Sequence, residues 1–535
     1  MDASPEQLVA EFLSEYQLSR IYLRSRISRL AEFAASEDPG VAESATKAIF
    51  VSLIERLADS FDPEGVSLYN RVFSQLTQIW RLDAGAMLLD SELTNLGLVS
   101  EEDMVARAES LRRISRLAAP RDWAETLQCV LVLSRVTLGA DVAITSVILE
   151  RIKRLFPAAE IVLLGGSKSV ELFGGDPRLR LKEIGYRRGG TTTERLLAWI
   201  ELLDCVRTIT NGLKRGEYLL VDPDTRLTQL GLLPLTETKD CLDPQLRSSP
   251  GVEDILTAKK KPDYIFFPSR EYGSGTSLSL AELTSAWLDE VFGESAPAYP
   301  HVSLSQTDIE SARKLASALR GGVARRIVAI NFGIGENHLK RVGGDFEASI
   351  VAHLVQEGSA VVFDKGAGDE EARRADAVIA EATRAETIRK GRDGYRARVI
   401  EIGAHNLMDV LSSEHLEADI LVWNGRIGML AALIGESDLY IGYDSAGQHI
   451  AAALGVACID VFAGSSSPRM VDRWRPTGKA PVRVVAVDPT TAANQIELVE
   501  RVLQHASQQS LCKEGDDPQI AQTPQMKRQQ NGQEE

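Results

Sequence analysis

Ser437-Asp438-Leu439-Tyr440-Ile441-Gly442-Tyr443-Asp444-Ser445-Ala446-Gly447-Gln448-His449, running on into Ile450-Ala451-Ala452-Ala453-Leu454-Gly455, reads as strand, tight turn and helix. The apolar run Leu439 to Tyr443 suits a strand buried on both faces of a parallel sheet. Asp444 or Ser445 can cap the following helix. Ala446 and Gly447 leave room for a close ligand. A helix N-terminus at a strand end presents free N–H groups and the positive end of a dipole, which suits a phosphate. His449 places one imidazole on the first helical turn beside that point.

Upstream, the same half of the chain alternates strand and helix. Strands are expected at 327–331, 359–363, 398–401, 438–443 and 456–462. The first runs into Asn331-Phe332-Gly333-Ile334-Gly335-Glu336-Asn337-His338-Leu339-Lys340-Arg341, where glycines allow close backbone approach and two cations can neutralise a diphosphate. The second runs into Asp364-Lys365-Gly366-Ala367-Gly368-Asp369-Glu370-Glu371. A carboxylate there can accept bonds from ribose hydroxyls, although acidic residues also favour any first helical turn.

An earlier alternation begins near Ala124. Residues 127–134 form a buried-strand run, an amphipathic helix spans 142–156, and 160–164 is the next strand, which makes a βαβ unit. Strands are also expected at 217–221 and 263–267, with helices at 191–211 and 279–292. The first strand ends in Ser134-Arg135-Val136-Thr137-Leu138-Gly139-Ala140-Asp141. Asp141 falls at the start of a helix and towards the cleft, as a plain cap or as a general base. Asp222-Pro223-Asp224 is a turn more often than a metal site.

Residues 5 to about 118 read as helices throughout, broken at Pro39-Gly40 and Pro63-Glu64-Gly65, and carry no recognisable chemistry. They are expected to pack on the rest or to mediate oligomerisation. Residues 506–535 are almost without apolar side chains, which predicts disorder. Lys259-Lys260-Lys261-Pro262 is expected in a solvated loop. A net charge of -16 argues against general nucleic-acid binding. Five scattered cysteines without a C-x-x-C pair indicate neither zinc nor a disulfide framework. With no signal-peptide pattern at the N-terminus, a cytoplasmic location is expected, and a peripheral contact with the inner membrane face stays open.

In this order, these stretches resemble glycosyltransferase family nine, the lipopolysaccharide heptosyltransferases, over roughly residues 126–485. Leu138-Gly139-(Ala140)-Asp141-Val142 through Thr145 is similar to the family's Leu-Gly-Asp loop. Asp444-Ser445-Ala446-Gly447-Gln448-His449 is similar to its Asp-Ser-Gly-x-x-His motif, and Asn331-Phe332-Gly333 with Lys340-Arg341 to its Asn-Pro-Gly…Lys-Arg segment. Phe462 to Pro468 is a looser match to Phe-Gly-Pro-Thr-Asp-Pro. Val342 and Gly343 stand where the family has Trp-Pro, Ala446 replaces a glycine, and Ala140 is an added residue.

The resemblance implies an α/β fold of two Rossmann-like domains (GT-B), here behind an all-helical N-terminal domain. The expected divisions are 1–120, 121–320, 321–505 and a tail at 506–535. It implies inverting, metal-free transfer of a sugar, heptose included, from a nucleotide-sugar donor to a glycan, lipid-linked or protein acceptor. No cofactor is implied. Asp141 would take the acceptor proton. Lys340 and the Ser445, Ala446 and Gly447 backbone would hold the departing diphosphate. Asp444, His449, Asn331, Gly333 and Arg341 would bind the donor, with Glu370 or Glu371 on ribose. The alternatives are a catalytically inactive nucleotide-sugar or glycan-binding protein and another enzyme of like fold, such as a sugar-nucleotide epimerase.

Overall fold

The computed structural model describes residues 3–114, 123–186, 192–236, 263–293, 295, 297–321, 325–335, 338–384, 397–413, 415–465, 468–487 and 494–511. Two all-parallel sheets organise it. The first holds β1 (Cys129–Leu133), β2 (Glu160–Gly165), β3 (Leu179–Glu183), β4 (Tyr218–Asp222) and β5 (Tyr264–Phe266), in spatial order β3-β2-β1-β4-β5. The second holds β6 (Ile327–Asn331), β7 (Ala360–Asp364), β8 (Val399–Gly403), β9 (Ile420–Asn424), β10 (Leu439–Tyr443), β11 (Cys458–Ala463) and β12 (Val482–Val487), in order β12-β11-β10-β6-β7-β9-β8. The chain therefore reverses direction across the sheet twice, at β1/β4 and at β6/β10. Crevices at the carboxyl ends of such switch points are where doubly wound folds bind ligands.

Buried Val, Ile and Leu fill these strands because parallel sheets are covered on both faces. One core joins the facing sides of the two sheets through the helices Ser146–Leu155, Leu280–Phe292, Gln306–Arg320, Ile427–Gly435 and Ala446–Ala453. A second core lies on the far face of the second sheet, under Phe346–Gln356, Asp369–Arg384 and Gln495–Leu511.

Among the described residues, 5–114 form helices and their connecting turns, and both break signals are helix starts. Pro39 and Pro63 occupy first helical positions behind the side-chain caps Asp38 and Asp62. These helices share one core with the far face of the first sheet: Phe12, Leu53, Tyr69 and Leu76 cluster with Leu131, Leu133, Val162 and Leu220. Beyond Ala124, that face has Thr192–Thr210 and the Leu227–Leu235 segment to cover it, and the N-terminal helices supply the remaining cover.

Several expectations need correction. The helix expected at 142–156 starts at Leu138 and passes through a π-helical turn, Asp141–Thr145, before Ser146–Leu155. A residue added to a helix is accommodated as such a bulge. β3, β9 and β12 were not expected. β3 and β12 are edge strands with exposed, charged positions, and β9 is too short a run to be told from a helix by periodicity. Helix Gln495–Leu511 continues past 506, inside the stretch whose composition predicts disorder. Residues 512–535 and Lys259–Pro262 lie outside the described residues. Among the described residues no helix is long and apolar enough to cross a membrane.

Candidate functional site

The site forms where the two switch points face each other. In the second half, β6 and β10 lie side by side, with Gly442 opposite Asn331, and β11 puts Asp460 on the other side of Gly442. Beyond β10 the chain turns through Asp444 and Ser445 into the helix Ala446–Ala453, and Ser445 makes no capping bond to it. The first N–H groups of that helix thus lack a side-chain cap at a point where an anion is favoured. Glycine is required at Gly442 and Gly447 because a β-carbon at either would overlap the Tyr440 hydroxyl.

Lys340 enters from the β6 side. Its Nζ donates to Asp444 Oδ2 at 2.6 Å and to the Asp444 carbonyl at 3.2 Å. Gln448 Nε2 donates to the other Asp444 oxygen at 2.9 Å. His449 is buried, and its ring meets Trp474 edge-on at 6.0 Å. Burial holds His449 neutral, its pKa pushed down to about 4, although Asp444 pulls it the other way. Asp460 is fully buried and neither of its oxygens has a hydrogen-bond partner. Burial, reinforced by Asp444, raises its carboxyl well above the ordinary range.

The first half meets this helix directly. A β-carbon at Gly139 would lie 3.1 Å from His449 Cδ2 and 3.5 Å from Ala446 Cα. The two stretches that carry the family resemblance are therefore in contact. Asp141, however, does not face the cleft. It is 1% exposed. Oδ2 accepts from Ser134 Oγ at 2.7 Å and Ser169 Oγ at 3.1 Å, and Oδ1 from the Arg135 N–H at 2.6 Å and Thr145 Oγ1 at 2.8 Å. Burial raises its carboxyl despite these four donors. The expectation of a cleft-facing base is corrected: the side chain on the π-helical turn is buried, where the hydroxyls of Ser134, Thr145 and Ser169 and the Arg135 N–H saturate it.

Arg135, which the sequence did not single out, ties the first switch point shut. Its Nη1 donates to the Pro223 and Asp224 carbonyls, each at 2.8 Å, and to Ser269 Oγ at 2.7 Å. Burial, with Arg270 beside it, pushes its pKa down to about 9. Asp222 is a turn organiser, accepting from the Thr225 N–H, Thr228 and Tyr264 at 2.9, 2.6 and 2.5 Å. Asp224 accepts from Ser269 and Arg270 at 2.9 and 3.1 Å. Val136 and Asp224 both hold positive φ, 72° and 67°, so backbone strain collects at this end of the sheet.

The remaining expected donor residues lie along the carboxyl ends of β6 and β7. Asn331 donates to Asp364 at 2.5 Å and accepts from the Gly333 N–H at 2.9 Å. Burial pushes Asp364 up to about 6. Glu371 accepts from the Ile334, Gly335 and Ala367 N–H groups at 3.1, 3.0 and 2.8 Å, which holds two loops together. Glu370 is exposed, 3.6 Å from His338. Arg341 lines a small pocket with Phe332, Gly333, Asp364 and Lys365. Lys340, Asp444, Ala446, Gly447 and His449 are thus brought together, while Arg341, Asn331, Gly333 and Glu371 form a neighbouring wall. No cluster of three or more His, Cys, Asp or Glu among the described residues is placed to hold a metal ion.

Fold and site together define a doubly wound α/β protein of two parallel sheets, with Lys340 and Asp444 at an uncapped helix start at the second switch point. No family model and no curated protein matches the sequence. Among solved structures the chain is similar to a glycosyl transferase family 9 protein from Veillonella parvula, at 15% identity and a TM-score of 0.48, covering 74% of this chain and 99% of that one. It is also similar to the E. coli ADP-heptose lipopolysaccharide heptosyltransferase II (14%, 0.44, 72% and 100%). A putative UDP-N-acetylglucosamine 2-epimerase from Listeria monocytogenes is a further relative in shape (14%, 0.36, 73% and 92%). These scores are modest, and the fold assignment rests on the chain's own strand order.

Proposed function

We propose that this chain is a glycosyltransferase that moves a sugar from a nucleotide-sugar donor to a glycan, lipid-linked or protein acceptor, with inversion and without a metal ion. The observation that carries the reading is the Lys340–Asp444 pair at the open N-terminus of Ala446–Ala453, at the second switch point. A diphosphate placed there meets an ammonium and uncapped N–H groups, the groups that stabilise a departing nucleoside diphosphate. The acceptor hydroxyl attacks the anomeric carbon as the bond to the diphosphate breaks. Heptose as the sugar belongs to the same reading, drawn from the motif resemblance.

The test is calorimetric binding of ADP, UDP and GDP to the wild type and to Lys340→Ala. At least one nucleotide binds the wild type, and the variant binds it tenfold more weakly or worse, a loss of about 1.4 kcal/mol. Equal affinity in the two would remove Lys340 from the site. Transfer is then read from the anomeric configuration of the product.

One observation favours a second reading, a catalytically inactive nucleotide-sugar or glycan-binding protein. Both oxygens of Asp141, the base that the resemblance implies, are already doubly hydrogen-bonded. Nucleotide binding without transfer across a panel of donors and acceptors would establish that reading.

A further inference from the structure

The N-terminal helices do more than cover a sheet. Between Arg56–Ala58 and Pro63–Trp80 the chain makes a short turn, Asp59 to Asp62. Phe61 there is 1% exposed, adopts a positive φ of 49°, and belongs to the core shared by the two sheets rather than to the N-terminal core. Its ring meets Trp474 edge-on at 6.2 Å, and Trp474 in turn meets His449. Arg469 donates to the Phe61 carbonyl at 2.9 Å. The turn is therefore fastened onto the anion cradle.

Asp59 is the charged group this turn delivers. It is half-buried, and its carboxylate has no hydrogen bond or ion pair with any described residue. The charges acting on it are those of Arg270 and Arg226 from the first half, Lys340 from the second, and Glu55 from its own helix. Arg226 is held by Glu55 at 2.7 Å, Arg270 by Asp224 at 3.1 Å, and Lys340 by Asp444 at 2.6 Å. Arg270 is 4% exposed and its Nε has no partner. An unpartnered carboxylate thus lies within electrostatic reach of cations from both halves, two residues from the Phe61 that packs on Trp474, while Asp141 has no lone pair to spare.

We propose that Asp59 is the base of the transfer reaction, supplied to the cleft by the N-terminal helices, and that these helices are part of the active site. The inference rests on the transferase reading. In the step, the acceptor O–H proton passes to the Asp59 carboxylate, and the oxygen lone pair forms the bond to the anomeric carbon. The bond from that carbon to the diphosphate breaks, and its electron pair leaves with the diphosphate towards Lys340. Burial holds the Asp59 carboxyl above its ordinary value, against the pull of Arg270, Arg226 and Lys340 and with the push of Glu55. That brings it closer to the working pH of a general base.

The experiment compares wild type, Asp59→Asn and Asp59→Glu in nucleotide binding and in transfer, using ADP-, UDP- and GDP-linked sugars with oligosaccharide and peptide acceptors. Asp59→Asn keeps nucleotide affinity within about twofold and loses about 100-fold or more in kcat, the usual scale of a general base. Asp59→Glu retains part of the rate, and the acidic limb of the wild-type kcat/KM–pH profile disappears in Asp59→Asn. Full transfer by Asp59→Asn overturns the proposal, as does a loss of nucleotide binding equal to the loss of transfer, which would mark a purely structural turn. A wild type that binds nucleotide but transfers to none of the acceptors overturns the transferase reading itself, and the Asp59 step with it.

Discussion

Asp364 shows how a single residue's surroundings set its chemistry. Its folded pKa of about 6 lies above the ordinary carboxylate value because it is buried beside Glu371, with Asn331 and the Gly366 N–H only partly offsetting that. A raised folded pKa means that the native state holds the proton more tightly than the unfolded chain does. Its stabilising contribution is therefore complete below about pH 4 and is lost as pH rises through about 6. The shift corresponds to about 3 kcal/mol at most. Replacing it with Asn removes this dependence, so the stability of Asp364→Asn relative to wild type should rise between pH 4 and pH 7. Urea denaturation at the two pH values checks this, and an unchanged difference would contradict it. At the same scale, Lys340, Asp444, Gly447 and His449 were legible because glycine, charge and imidazole fall at fixed offsets from a strand end. The fate of Asp141 was not, since Ser134, Thr145 and Ser169, which consume it, are separated along the chain and meet only on folding.

The elements were mostly visible where a buried apolar run met a glycine turn, as in β1, β6, β7 and β10. Edge strands β3 and β12 escaped because half of an edge strand faces water and looks like a loop. The role of Arg135 belongs to this scale. It connects the end of β1 to the turn after β4 through two carbonyls and to the segment after β5 through Ser269, while almost wholly buried. Asp224 keeps Arg270 when Arg135 is removed, so the loss falls on the two carbonyls and Ser269. Arg135→Ala is expected to destabilise the protein by about 2–4 kcal/mol, in line with buried groups left without a charged donor. Chemical denaturation measures it, and a cost below about 0.5 kcal/mol would show that the switch point is held by something else. Among the described residues two stretches are π-helical: Ala48–Glu55, which precedes Arg56–Ala58 and the Asp59–Asp62 turn, and Asp141–Thr145, which holds Asp141 itself. Such bulges are frequent at functional sites.

At the scale of the whole molecule, the N-terminal helices and the first sheet stand or fall together. Removing residues 1–118 would take away part of the cover over the face that carries Leu131, Leu133, Val162, Leu164, Leu220 and Phe266. An uncovered apolar face of this kind drives association. The shortened chain is expected in the insoluble fraction, or as soluble aggregate by size-exclusion chromatography with light scattering. A well-folded soluble monomer would refute the shared core. The sequence by itself determined the two rounds of strand–helix alternation, the helices before Ala124 and the strand, turn and helix from Leu439 to Ala453, because local periodicity and turn chemistry encode them. Only the tertiary structure decided that Asp141 is buried and saturated, that the N-terminal helices share the first sheet's core, and that Phe61 packs against Trp474 beside His449. Those outcomes depend on burial and on contacts between residues far apart in the chain, which no local pattern records.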